Sequence, residues 1–500
     1  MARPRQPPSG RRPPPRRRSP PRRRTPAPRK PLAARCAFLS FLLPGAGQVY
    51  AGERRRGIVM LTFSALTLVF LLRQVRSMGS RGGIAAHAVD TRFLLALLGV
   101  NLVLLLFRVF SIFDAFRLGR APRAAAATLG VLTLFAIAPH AAVGYYAYQS
   151  YDTIETVFAD EEPTDVIEPV EIASSGDGGP VTLLPQLAAS NGTEVRIRNA
   201  NEALPEEAGP PWKQRGRLNV LLLGADAGPG RGGLRTDTMI VATISTETGQ
   251  AALFSVPRNL AQVPLPGGRD VFAQPLNGLY EWAAAHPERF VGGKDPGPTA
   301  MKQTIGQLVG LPIDYYVMVD FRGFYGLVAA LGGVDVNVPE AVLDRVSPYK
   351  EGGDWVRIDL KPGKQHLDAD QAFAYVRART QSSDYSRIAR QRCVIASLAS
   401  KATPAKVLGS FRDLASTFKE NVRTDIPAKN LPLVAELAAG VHLDKVTSIG
   451  FVPPQFERAR DPGGYSIPDV VKIRAAVAGV IAGNAATAGS QAAVSGSACA

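Results

Sequence analysis

Cysteine is nearly absent: the 500 residues hold three, Cys36, Cys393 and Cys499. They stand far apart, in an apolar segment, a predicted helix and a small-residue tail, so their spacing yields neither a disulfide framework nor a zinc pattern. Histidine is scarce as well, five in all and none arranged as HExxH, which argues against a His-built metal site. Acid is missing from residues 1–35, which carry 13 Lys+Arg and no Asp or Glu. Residues 36–150 hold 11 Lys+Arg against Glu53, Asp90 and Asp114, and residues 151–500 carry a net charge of −5. The formal charge of +16 and the pI near 9.9 therefore belong to a tail and short loops rather than to a basic folded surface. With no aromatic residue among the tail's arginines, nucleic acid is not the expected partner.

What is present divides the chain into unlike parts, as its length leads one to expect. Residues 1–35 are Pro/Arg low complexity that cannot bury a core, and we read them as a disordered cytoplasmic tail. Residues 36–150 read as a membrane region. Three apolar runs, at 57–72, 93–113 and 124–148, could each span a bilayer, and a shorter run at 36–52, broken by Pro44, Gly45 and Gly47, reads as a re-entrant hairpin. Arginines 54–56, 117, 120 and 123 put the tail side in the cytoplasm, so three crossings place the remainder outside the cell membrane. The loop at 73–92, with four arginines, fits this topology poorly. Residues 151–215 are acidic and rich in Pro, Gly and Ser, a linker.

From 216 to 483 the pattern is that of one α/β domain with a mixed central sheet flanked by helices. Strands are predicted at 218–224, 237–245, 251–257, 313–321 and 334–339, and helices at 299–310, 322–331 and through 385–440. A last helix follows Ser466 with Pro468 in its first turn. Residues 484–500 read as a tail with nothing to pack. The GxGxxG match at 228–233 is followed by β-branched "TDTMIVATI" rather than a helix, so it lacks what a dinucleotide site requires.

If the first three strands run up, down and up, one sheet edge collects Asp226, Arg235, Asp237 and Arg258. Arg235 and Asp237, two apart, share a face where the strand is regular. Two carboxylates beside two arginines can seat one hard divalent cation and a phosphate-bearing anion, or can be a surface ion-pair cluster. The stretch "FAYVRARTQSSDYSRIARQR", residues 373–392, carries five arginines and one carboxylate. Arg377 and Arg379 lie two apart in extended chain, and Asp384, Arg387 and Gln391 fall on one helix face. These arginines would repel one another unless an anion joins them, and a guanidinium fork suits phosphate. Arg390 and Arg392 point elsewhere and are expected to be solvated.

In order, "LLLGAD…RTDTMIV…FSVPRN…LNGLYEW…IDYYVMVDFRGF…LGGVDVNVP…HLDADQAFAYVRAR…DYSRIARQR" resembles the LytR-CpsA-Psr family of cell-envelope ligases over about 216–400. The segment "FLLPGAGQVYAGERRRG" is similar to the membrane segment of some actinobacterial members. The resemblance implies a Mg²⁺-dependent phosphotransferase that moves an anionic glycopolymer, arabinogalactan or teichoic-type, from polyprenyl pyrophosphate to a peptidoglycan hydroxyl. It implies Asp226 and Asp237 as metal carboxylates, Arg235, Arg258, Arg377, Arg379 and Arg387 as pyrophosphate ligands, and Gln391 as a polar site residue. Arg235, Arg258 and Asp384 are the expected catalytic groups, Asp384 as the proton acceptor. Where the family has Asp after the arginine of "PRD", this chain has Asn259, losing a charge that could orient Arg258. The alternatives are a membrane-bound sensor or scaffold that binds the lipid-linked polymer without processing it, and a polyprenyl pyrophosphatase.

Overall fold

The computed structural model describes residues 31–120, 125–158, 209–226, 234–268, 270–290, 292, 295–348, 353–379, 384–483 and 493–495. The glycine motif at 228–233, nearly all of the expected tail and most of the expected linker lie outside them. Contacts divide the chain into two units, residues 1–69 with 104–139, and residues 70–103 with 140–500.

In the first unit, α1 (Ala33–Leu42) and α2 (Ala46–Tyr50) form the hairpin expected from Pro44 and the glycines. Gly45 caps α2 at φ 104, and a Cβ at Gly47 would lie 2.0 Å from the Cys36 carbonyl oxygen, so only glycine lets the two helices meet. The hairpin is fastened by polar groups: Ser40 donates to Gln48 Oε1 at 2.7 Å, and Gln48 donates to the Ser111 carbonyl at 2.9 Å.

Three of the described helices are long and apolar enough to cross a membrane: α3 (Arg54–Ser77), α5 (Thr91–Leu118) and α6 (Ala125–Val157). Their exposed Leu66, Val69, Leu102, Leu106 and Leu134 are surfaces that water would not tolerate at this density. Of the four arginines expected in a loop at 73–92, Arg73 and Arg76 end α3 and Arg92 begins α5, and the residues between form a helix of their own, α4 (Arg81–Ala88). α6 runs on to Val157, past the expected boundary at 150.

The second unit continues with α7 (Pro211–Gln214), then β1 (Arg217–Asp226), β2 (Arg235–Ser245) and β3 (Ala251–Ser255), which run up, down and up as expected. A short pair, β4 (Val263–Pro264) and β5 (Val271–Phe272), leads into α8 (Leu279–Ala285) and α9 (Pro296–Val309). Next come β6 (Tyr315–Asp320), α10 (Phe321–Ala330) and β7 (Val334–Val338). The chain then makes a hairpin, β8 (Val342–Val346) with β9 (Val356–Leu360), and returns along β7 as β10 (Gly363–Leu367) before α11 (Ala369–Tyr375). After α11 come α12 (Asp384–Lys401), α13 (Pro404–Gly409), α14 (Phe411–Asn421), β11 (Val422–Thr424) and α15 (Leu431–Ala439). The chain closes with β12 (Thr447–Gly450), β13 (Glu457–Arg460), β14 (Ser466–Pro468), α16 (Val470–Ile481) and β15 (Ala493–Ser495).

Seven strands make the mixed sheet, in the order β11-β6-β1-β2-β3-β12-β15, parallel at β1/β6 and β3/β12 and antiparallel elsewhere. One face buries Leu221, Leu223, Met239, Val241 and Phe254 against α8, α9 and α16. A buried ion pair sits near its edge, where Lys302 of α9 lies 2.6 Å from Asp425, both 2% exposed.

Four sequence expectations change. Pro468 ends β14, and Asp469 rather than Pro468 opens the last helix, its side chain accepting from the Lys472 amide. Residues 493–495 of the expected tail pair with β12, because that edge still offers free backbone groups. Cys393 is disulfide-bonded while Cys36 is free and buried; separation along the chain says nothing of approach in space. Arg390 and Arg392 are buried, 6% and 7% exposed, since α12 packs on β7 on one side and on β3 and β12 on another.

Candidate active site

The site is made by a defect in the sheet. β1 and β2 keep register from Arg217↔Ser245 to Gly224↔Thr238, and then Ala225 pairs with Thr236 and Asp226 with Arg235. Asp237 is left without a partner, a bulge that turns its side chain out of the regular alternation. The expectation of a regular strand at Arg235 and Asp237 is corrected here, yet both still line the same cavity of about 670 Å³.

Asp237 is the hub. Arg258 Nη1 donates to both of its carboxylate oxygens at 2.9 Å, and Asn277 Nδ2 donates to Oδ1 at 3.2 Å. Arg379 and Arg387 approach Oδ2 at 3.8 and 3.9 Å, and Arg387 Nη2 also donates to the Asp237 carbonyl at 3.3 Å. Burial pushes the Asp237 carboxyl up, but Arg258, Asn277 and Arg387 outweigh it and hold the group below the usual carboxylate range. The expected mutual repulsion of Arg379 and Arg387 is thus eased within the chain, by Asp237 itself.

Arg377 takes another course. It donates to the Ser347 carbonyl at 2.8 Å and to Ser347 Oγ at 3.1 Å, with its guanidinium over the rings of Phe321 and Phe373 at 4.5 and 4.9 Å. Asp226, Arg235, Asp237, Arg258, Arg377, Arg379, Arg387 and Gln391 all line the one cavity. Asp384 begins α12, one turn before Arg387, and its side chain is not among those described. Asn259 has a buried Oδ1 with no hydrogen-bond partner, and it is Asp237 that fixes Arg258.

Sequence reasoning missed Asp320, Asp344 and Arg345, which also line the cavity, and Asn277. Asp344 accepts the Arg379 backbone N–H, and it comes from the β8/β9 hairpin, whose alternation of exposed and buried residues gave a weak strand signal. It also misread Arg390, which donates through Nε to the Tyr375 carbonyl at 2.9 Å and through Nη2 to that of Ala378. The carbonyls on either side of Arg377 are thereby fixed, so a residue outside the cavity sets the segment bearing Arg377 and Arg379. Arg392 is a buried guanidinium whose Nε and Nη1 have no hydrogen-bond partner, and burial pushes it down to about 10.

The cavity has two characters. At one end, six arginines, Arg235, Arg258, Arg345, Arg377, Arg379 and Arg387, face four aspartates, Asp226, Asp237, Asp320 and Asp344. At the other, Leu222, Val317, Phe324, Leu327, Ile395 and Leu398 line it. A cationic surplus joined to an apolar channel suits an amphiphile with a multiply charged anionic head. Among the described residues no cluster of three His, Cys, Asp or Glu could hold a metal ion by itself.

The LytR_cpsA_psr family profile matches residues 186–454, more than half of the sequence. The chain belongs to the LytR-CpsA-Psr family. Among similar proteins is the Bacillus subtilis polyisoprenyl-teichoic acid–peptidoglycan teichoic acid transferase TagV, 27% identical over 290 residues, 57% of this chain and 67% of that one. The Oceanobacillus iheyensis transferase TagU is 29% identical over 245 residues, 49% of this chain and 69% of that one. The crystal structure of B. subtilis TagV, 26% identical, aligns over 52% of this chain and 95% of that one with a TM-score of 0.40. As a LytR-CpsA-Psr protein the chain has the mixed sheet and flanking helices expected of it, and its named relatives are transferases.

Proposed function

We propose that the protein is a Mg²⁺-dependent phosphotransferase that attaches a polyprenyl-pyrophosphate-linked glycopolymer to peptidoglycan through a phosphodiester. The observation that carries this reading is Asp237, gathered with Arg258, Arg379 and Arg387 at the cationic end of a cavity whose other end is apolar. The head of such a substrate carries two phosphates and its tail is hydrocarbon. The names of TagV and TagU, which join teichoic acid to peptidoglycan from a polyisoprenyl carrier, support the same chemistry.

In the reaction, an acceptor hydroxyl oxygen attacks the phosphorus bearing the glycopolymer. The bond from that phosphorus to the bridging oxygen breaks, and polyprenyl phosphate departs with the electron pair. Arg258, Arg377, Arg379 and Arg387 neutralise the phosphate oxygens and orient the head, which is most of what phosphoryl transfer requires. Asp384 is proposed to take the hydroxyl proton. Asp226 and Asp237 are hard oxygen donors on one bulged edge, and they would hold Mg²⁺ together with phosphate oxygens, as that ion prefers. Bound there, Mg²⁺ would offset charge on the bridging and terminal oxygens. Asp237 would then share its carboxylate with Arg258.

On this reading the domain lies outside the cell membrane and the arginine tail inside, against anionic headgroups. Mass spectrometry of lipid co-purified with the full-length protein tests the substrate class. Polyprenyl phosphate or a glycosylated pyrophosphate is expected. Absence of any prenyl phosphate would count against the proposal, and release without transfer to added peptidoglycan would make the protein a pyrophosphatase.

A further inference from the structure

The sheet face that carries Asp226 continues beyond the cavity. Along β1, Leu218, Val220, Leu222, Gly224 and Asp226 alternate onto one face, and β6 sets Tyr315 beside Val220, Val317 beside Leu222 and Val319 beside Gly224. At the Asp226 end this face lines the cavity. At the other end Leu218, Val220 and Tyr315 are buried in a cluster with Leu94 of α5 and Ala147 and Ile154 of α6. Leu222 and Val317 belong to both, packing on that cluster and lining the cavity. From Leu218 to Asp226 the strand covers about 26 Å at about 3.3 Å per residue.

The membrane helices are fitted to this end by several contacts. With 33 residues, α6 extends well beyond the hydrocarbon thickness it must cross, so its last turns are available for packing. Asp152 of α6 pairs with Lys419 of α14, and Tyr146 meets Phe411 edge-on at 5.5 Å. α4 lies along α15, so close that a Cβ at Gly82 would be 3.1 Å from the backbone oxygen of Glu436. The segment between α3 and α5 is thus packed along α15 as a helix rather than left as a loop.

We propose that α4 and the outer turns of α5 and α6 seat the catalytic domain so that the apolar end of its cavity abuts the membrane helices. The substrate's polyprenyl tail then enters the cavity at Leu222 and Val317, beside the outer turns of these helices. The inference rests on the lipid-linked substrate proposed above. It follows from continuity: a long hydrocarbon tail avoids water at every step, and Leu222 and Val317 join the helix cluster to the cavity without a polar break.

The test uses the full-length protein in proteoliposomes, with two probes: a long-chain polyprenyl-pyrophosphate sugar held in the bilayer, and a short-chain, water-soluble analogue. Gly82→Trp forces α4 from α15, and turnover of the long-chain probe should fall about tenfold while the short-chain probe reacts as before. In a Cys36→Ser background, Gly82→Cys with Glu436→Cys should oxidise to a cross-link in the membrane and keep full long-chain turnover. The proposal is overturned if folded Gly82→Trp treats the two probes alike, if the cross-link fails to form, or if the locked protein loses the long-chain reaction. Should Gly82→Trp not fold, the locked variant decides. A wild-type protein inactive on both probes while the cross-link forms would refute the functional reading and leave the docking intact.

Discussion

Arg258 Nη1 stands 2.9 Å from each carboxylate oxygen of Asp237. That symmetric grip holds the bulged residue ionised while Asn277 fixes one oxygen from the side. The pair is mostly buried, with side chains 19% and 16% exposed, so water screens it little.

Arg258→Lys should therefore be far from conservative. A lysine could meet Asp237 with its one nitrogen but would leave no planar fork for a phosphate, and turnover is expected to fall about 100-fold, the usual scale for one lost charge-stabilising donor. Steady-state kinetics at saturating Mg²⁺ measure it. A loss under about threefold would show that the fork is dispensable.

Arg390 holds the backbone on either side of Arg377 through two carbonyls. Arg390→Lys cannot reach the Tyr375 and Ala378 carbonyls together, so Arg377 and Arg379 lose their fixed spacing. KM for the lipid substrate should rise about tenfold with kcat changed much less, the pattern of lost ground-state binding. A fall in kcat alone at constant KM would contradict this role.

Lys302 and Asp425 form a pair wholly out of solvent. Lys302→Met leaves the Asp425 charge buried without its counter-ion and should cost about 3–5 kcal/mol, whereas Lys302→Met with Asp425→Asn, which keeps an acceptor for the Tyr316 amide, should recover most of it. Denaturant melts of both variants decide. Equal destabilisation by the single and double substitutions would mean that packing, not charge, is at stake.

Asp314 provides a pH signature. Burial raises its carboxyl to about 6, although Arg215 and the Asn219 amide pull the other way. A group whose folded value exceeds its unfolded one binds its proton more tightly when folded, so its contribution to stability is lost as pH rises from about 4 to about 6. The contribution is on the order of 3 kcal/mol. Asp314→Asn should flatten stability against pH over that window in thermal melts, and an unchanged slope would contradict the assignment.

Much of this was legible in the sequence because the signals were local. β1, β2 and β3 are apolar or β-branched runs with a tight turn, and Arg387 and Gln391 stand one helix turn apart on α12, whereas Arg377, expected in extended chain, sits in the turn that ends α11, its amide donating to the Ala374 carbonyl. What escaped notice depends on tertiary context. The bulge at Asp237 is a mismatch between two strands and is invisible in either alone. Arg390 reads as solvated until α12 is known to be packed on two sides. Cys393 and residues 493–495 could not be linked to the rest from composition, because a small-residue tail resembles a strand only when an open edge accepts it. The docking role of α4 depends on α15, some 350 residues away in the chain.

The most direct test is polyprenyl phosphate release from a lipid-linked glycopolymer by the full-length protein, comparing wild type with Asp237→Asn, each with Mg²⁺ and with chelator. Wild type should release it only with Mg²⁺, and Asp237→Asn should be slower by about 100-fold or more while still folded. Release at the wild-type rate by Asp237→Asn, or release indifferent to chelation, would contradict the account.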